Sequence, residues 1–195
     1  MRYVTATCYL LFLAATAWGE DSLGRVDQFQ LLDSAGAAVT QAAWQDATAV
    51  VLIFLGTECP VSNGYAPEIA RLRTDYSRRG VRFFGVHSDP DVTAETARKH
   101  ADEYGLTMPI LLDPTQALAR PTRVTIMPES VVLLPDGQVV YRGRIDDRYP
   151  ESGQRRLEAT RRDLSDAITA VLAGKKPSPS TTKAFGCPLP RLQRQ

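Results

Sequence analysis

Cys59 stands where an apolar run turns polar. Ala49 to Leu55 is continuously apolar, Gly56-Thr57-Glu58 follows, and the residues after Cys59 read as a helix opening at Pro60. A strand that delivers a cysteine to a helix start can make a reactive thiolate, because the helix-end dipole and its unpaired N–H groups favour the anion. Pro60 suits the first helical turn, where its missing N–H costs nothing. The bland reading of a lone cysteine beside a strand is a buried, inert one. Its place just beyond the strand and before a proline favours a functional thiol instead. Glu58 would oppose the thiolate and moderate the drop in pKa, unless it is simply a solvated charge.

The first 19 residues belong to a different task. Arg2 is their only charge, Tyr9 to Ala15 is apolar, and Ala17-Trp18-Gly19 is a small-x-small cleavage pattern. This predicts a secretory signal peptide over 1–19, its apolar core too short to span a bilayer. Cys8 precedes that core and is expected to leave with it. The mature chain then carries 22 Lys+Arg against 22 Asp+Glu. No excess of one sign points to nucleic acid or an anionic membrane, and no second long apolar run predicts a membrane span. Export to a periplasmic or extracellular setting is oxidising, so Cys59 and Cys187, the two remaining cysteines, could pair. Two cysteines cannot build a fold. The 44% hydrophobic content must.

The elements that would position Cys59 follow from patterning. Phe29 to Leu32 and the turn Asp33-Ser34-Ala35-Gly36 read as a strand and its end, with Trp44 a core or interface residue. Ala49–Leu55 reads as a central strand buried on both faces. Ile69, Leu72 and Tyr76 recur at helical spacing until Gly80. Val81–Val86 is a second buried strand, Thr93–Tyr104 a polar helix closed by Gly105, and 109–112 a short strand. Ser130–Leu134, the turn Pro135-Asp136-Gly137 and Gln138–Ile145 make a hairpin. Leu157–Leu172 reads as the last helix, and Lys175–Thr182 as a solvated linker to a tail holding Cys187. The expected organisation is a signal peptide at 1–19, an α/β domain at 20–173, and a flexible linker and tail at 174–195. The domain has a central mixed sheet, helices on both faces and a C-terminal hairpin.

With these motifs in place, the sequence resembles the thioredoxin-like superfamily, in its exported redoxin branch related to peroxiredoxins and thiol-disulfide oxidoreductases. Cys59-Pro60-Val61-Ser62 looks like the family's C-x-x-C with serine second. Pro67 matches its helix-kinking proline, and Thr125 to Leu133 its cis-proline loop entering a strand. Asp136 to Gly143 matches the following hairpin, and Gly85 to Pro90 the strand end of peroxiredoxin-like members. The resemblance covers about residues 26–173. It implies a thioredoxin-like fold and a cis Met127-Pro128 peptide facing Cys59, where Pro60, Met127 and Pro128 meet a partner's thiol or peptide. It implies a protein thiol, disulfide or electron donor as partner, no cofactor and no metal. Oligomeric state is not set by the sequence.

Two departures matter. Ser62 replaces the resolving cysteine, so a mixed disulfide at Cys59 must be released by another thiol. The buried acid that many thioredoxins carry six residues before the nucleophile is Ile53 here. Cys187 is a candidate for the missing thiol. A Cys59–Cys187 bond would close a loop of 128 residues, worth roughly 5 kcal/mol in the chain-entropy model. It could equally be a permanent staple, or Cys187 could pair between molecules. Around the cysteine, Thr57, Glu58, Ser62 and His87 are candidates to tune it. His87 could also join Cys59 and Cys187 as a copper ligand, as in Sco-type chaperones, but a loop histidine without catalytic duty is the favoured reading. His100 reads as a surface residue. The charged run Arg142–Tyr149 reads as a salt-linked surface or a recognition edge. The leading function is exported thiol-disulfide oxidoreductase. The runner-up is a peroxiredoxin-type peroxidase, against which Leu52 and Gly56 stand where that family has proline and threonine or serine.

Overall fold

The structure, a computed structural model, describes residues 23–150 and 155–192. The signal-peptide assignment at 1–19, with Cys8, lies outside the described residues. Strand β1 (Gln30–Asp33) pairs antiparallel with β2 (Ala38–Thr40), and a 3-10 helix at Gln41–Trp44 follows. Then come β3 (Ala49–Phe54), α1 (Pro60–Gly64), α2 (Ala66–Ser77), β4 (Val81–His87), α3 (Ala94–Tyr104) and β5 (Ile110–Leu112). The second half holds β6 (Ile126–Met127), β7 (Glu129–Leu133), β8 (Val139–Gly143), α4 (Asp163–Leu172) and β9 (Cys187–Pro188).

Seven strands form one mixed sheet in the order β2-β1-β5-β4-β3-β7-β8. β3, β4 and β5 are parallel, while β7 and β8 run antiparallel as the expected hairpin. β3 is central, and all six of its residues are buried, which is why its sequence is an unbroken apolar run rather than an alternation. Its side chains divide between two cores. Val51 and Ile53 meet Ile69 and Leu72 of α2, Ala97 of α3, and Leu164 and Ile168 of α4. Val50, Leu52 and Phe54 meet Trp44 of the 3-10 helix, Leu118 and Val124, with Leu189 of the tail packed against that group. Helical residues thus cover both faces, the second mainly through one short turn and irregular chain. Among the described residues no helix is long and apolar enough to cross a membrane.

The last helix is shorter than its periodicity predicts. α4 begins at Asp163, and Leu157 is 98% exposed. The physical reason is Asp147, whose carboxylate accepts the backbone N–H of Thr160 (2.7 Å) and Arg161 (3.0 Å) and draws that segment into a loop. The linker composition at 175–182 holds in part. Lys175, Lys176 and Ser178 to Thr181 are exposed, yet Pro177 is buried and Thr182 is hydrogen-bonded to the hairpin.

Candidate functional site

Cys59 follows β3 across four residues and is the N-cap of α1, with Pro60 at the first helical position. α1 has only five residues, so its dipole is weak, and the helix-end effect at Cys59 is smaller than a full helix would give. Tyr65 separates α1 from α2, and its hydroxyl donates to Asp146 Oδ1 at 2.7 Å, anchoring the junction. Burial, then the Asp146 carboxylate, push the Tyr65 phenol far up, so it remains a donor. Pro67 is the second residue of α2, where no N–H is needed.

Cys59 is 3% exposed and is bonded to Cys187, with the two Cα atoms 6.1 Å apart. β9 carries Cys187 onto β6, with Met127 opposite Cys187 and Ile126 opposite Pro188. The Met127-Pro128 peptide is cis. Met127 O lies 3.2 Å from Cys59 Sγ. A disulfide sulfur has no hydrogen to donate, so this is a contact in the oxidised state. After reduction the thiol can donate there, which favours its neutral form. Gly186 explains the closeness of the tail, since a side chain there would collide with the Met127 carbonyl.

The loop before Cys59 is held from beneath. Ser62 is buried, and its Oγ accepts the Gly56 N–H at 3.2 Å. The serine in the place of a second cysteine therefore braces the backbone. Asn63 Nδ2 donates to Thr57 O at 3.1 Å, and His87 Nδ1 lies 3.0 Å from Leu55 O. His100 Nε2 lies 2.9 Å from Asn63 Oδ1. Because Asn63 spends its N–H on Thr57, its oxygen must accept, and His100 is the Nε2–H tautomer. His87 is likewise the Nδ1–H tautomer, since a carbonyl only accepts. The two rings meet edge to face with centroids 5.2 Å apart. His100 is 5% exposed, so its reading as a surface residue is corrected. Ala97, His100, Ala101 and Tyr104 form the inward stripe of α3, the spacing that could have revealed it. His87 acts on Leu55 and is not among the residues lining the cleft at the disulfide.

That cleft, about 450 Å³, runs over Thr57, Cys59, Met127, Cys187 and Pro188, and Glu58, Asp89 and Asp91 are its charged lining. Glu58 and Pro60 are exposed, and Thr57 is half-buried. Ile53, in place of a buried acid, is fully within the core. The charged run after β8 is salt-linked, by Arg144 to Asp163 (2.7 Å) and Arg148 to Asp146 (2.8 Å). Sequence reasoning did not find Asn63, Gln116 or Thr182, whose roles come from long-range contacts without periodic signal.

Burial, with the His100 ring second and the Leu55 carbonyl and then Asp89 opposing, lowers His87 to about 4 from 6.5. Burial also lowers His100, against the pull of Glu103. Between about pH 6.5 and 4 the unfolded chain binds a proton at His87 that the folded chain refuses, so stability falls as pH drops through that window. The expected loss from His87 is about 3 kcal/mol. Burial raises the Asp113 and Glu129 carboxyls, and these act in the opposite sense: their contribution is present at acid pH and fades as pH rises past their folded values. Urea unfolding at pH 7 and pH 4.5 should therefore show a larger acid loss in the wild type than in His87→Gln. Equal losses would show that His87 does not report the buried site.

The Redoxin family model matches residues 22–156. The chain belongs to the Redoxin family. Among solved structures, an uncharacterised conserved protein of Geobacillus kaustophilus is 29% identical, with 88% of this chain and 93% of that one covered and a TM-score of 0.76. A hypothetical protein of Sinorhizobium meliloti 1021 is 27% identical, with 88% and 95% covered and a TM-score of 0.75. A secreted Mycobacterium tuberculosis disulfide oxidoreductase is 20% identical, with 75% and 96% covered and a TM-score of 0.52, a likeness of fold. No curated protein matches the chain. The fold is thus a redoxin's, thioredoxin-like, with a mixed sheet, as the motifs around Cys59 and Pro128 imply.

Proposed function

We propose that this redoxin is an exported thiol-disulfide oxidoreductase in which Cys59 exchanges with a partner's sulfur and Cys187 resolves the mixed disulfide. The observation that carries the reading is the Cys59–Cys187 bond seated against the Met127-Pro128 edge. Ser62 is committed to the Gly56 N–H and has no thiol to offer, so within this chain the second sulfur comes from the tail. The partner is a protein thiol or disulfide. Its chain meets the Met127 and Pro128 backbone once the tail yields that edge. Export rests on the sequence of residues 1–19.

A peroxidase would also pair two cysteines after turnover, and the disulfide favours that reading equally. The surroundings favour it less. Both chemistries need the Cys59 thiolate, but a peroxidase also needs a hydroxyl beside it to orient the peroxide, and at that place stands Gly56, with the buried Leu52 where that family has proline. Copper binding has less behind it, because the two sulfurs it needs are joined to each other and among the described residues no group of three or more His, Cys, Asp or Glu could hold a metal ion. The test is turnover of the mature protein with a dithiol donor, offered either a protein disulfide or a hydroperoxide. Faster reduction of the protein disulfide is expected. Rapid peroxide consumption without disulfide exchange would replace this reading with the peroxidase.

A further inference from the structure

The tail is fastened on both sides of Cys187 by contacts that do not involve sulfur. Upstream, Thr182 N donates to Arg142 O at 3.1 Å and Arg142 N to Ser180 O at 3.0 Å. Thr182 Oγ1 accepts from Arg144 N at 3.1 Å and pairs with the Tyr141 hydroxyl at 2.7 Å. Gly143 permits this approach, since a side chain there would run into Thr182. Downstream, Leu189 N donates to Thr125 O at 2.8 Å. Gln116 Nε2 donates to Pro190 O at 2.6 Å and also reaches Ser88 O at 3.3 Å. Gln116 is 7% exposed and sits at φ 59, a left-handed conformation that non-glycine residues seldom adopt. The strained backbone of Gln116 thus aims a buried amide at the tail.

We propose that Gln116 and Thr182 are positioning residues that keep Cys187 within bonding reach of Cys59 when both are thiols. The tail is then a resolving arm pinned at two points. This rests on the oxidoreductase reading above. In the cycle, the Cys59 thiolate attacks a partner disulfide, forms a bond to one partner sulfur and expels the other as a thiolate, which takes up a proton. The Cys187 thiolate attacks Cys59 Sγ. The Cys59–Cys187 bond forms, the bond to the partner breaks, and the second partner sulfur leaves and is protonated. Two electrons pass from the cysteine pair to the partner disulfide, and a partner dithiol drives the reverse. The resolving step is fast in proportion to the effective concentration of Cys187 at Cys59, which falls as its tether lengthens. Thr182 is five residues from Cys187, whereas the end of α4 is fifteen.

The experiment is the thiol-disulfide equilibrium of the full mature chain with glutathione or dithiothreitol, read by alkylation and intact mass. Gln116→Asn tolerates the left-handed backbone but shortens the amide. Thr182→Val keeps the shape and removes the hydroxyl, and Thr182→Ser restores it. Gln116→Asn and Thr182→Val should each lower the effective concentration of Cys187 about three- to ten-fold, the range of one hydrogen bond, and Thr182→Ser should return it to the wild-type value. The same variants in a Cys187→Ser background should alkylate Cys59 at the parent rate, which separates tail docking from damage to the loop. Equal equilibrium constants in all variants would overturn the proposal. If the wild type forms no Cys59 mixed disulfide with a protein substrate, the oxidoreductase reading falls, while the equilibrium constants still decide whether the arm is pinned.

Discussion

Cys59→Ser is expected to reduce disulfide exchange to the uncatalysed background, with the fold retained. The proposed chemistry passes through this sulfur, and although the variant also loses the cross-link to Cys187, the loop that carries residue 59 stays braced by Ser62 and Asn63. A serine hydroxyl stays protonated at neutral pH and cannot form a mixed disulfide. Ser62 cannot compensate either, since it is buried and its oxygen is occupied by Gly56 N–H. The measurement is the rate of reduction of a protein disulfide by the variant, compared with the wild type and with Cys187→Ser. A variant rate equal to the wild type would place the chemistry elsewhere.

Cys187→Ser has two consequences that can be read separately. The chain loses a cross-link spanning 128 residues, which in the chain-entropy model lowers stability by roughly 5 kcal/mol at most. For a domain of this size the melting temperature should fall by about 10 °C. The anchors at Thr182 and Gln116 remain, so the tail is not released outright. The second consequence is kinetic. Cys59 should still attack a partner disulfide, but the mixed disulfide should accumulate, because the internal thiol that releases it is gone. Intact mass after a single exposure to an oxidised partner shows it as a stable adduct. Full turnover at the wild-type rate, with no adduct, would assign resolution to a thiol other than Cys187.

The parts of the fold with a periodic or local signal were legible in the chain. β3 announced itself as an unbroken apolar run, α2 through Ile69, Leu72 and Tyr76, and the β7–β8 hairpin through its Pro-Asp-Gly turn. The position of the candidate site was legible for the same reason, since Cys59 and Pro60 lie where the strand meets the helix. What could not be read is tertiary. The start of α4 depends on Asp147 capturing Thr160 and Arg161 from across a loop. β9 is two residues long and exists through long-range pairing, with Met127 opposite Cys187 and Ile126 opposite Pro188. His100 looked polar because its helix is polar, and its burial follows from Asn63 and His87 standing opposite. Ser62 was legible as a missing thiol, but its service to the Gly56 N–H was not.

The reduction potential of the Cys59–Cys187 pair, measured against glutathione and dithiothreitol buffers in a chain of residues 20–195, tests the central claim most directly. A pair that cycles should lie between about −270 and −120 mV, among the disulfide oxidoreductases, and should open while the protein stays folded. A potential below about −300 mV, with the bond intact in buffers that reduce redox motifs, would mark a permanent staple and contradict the account.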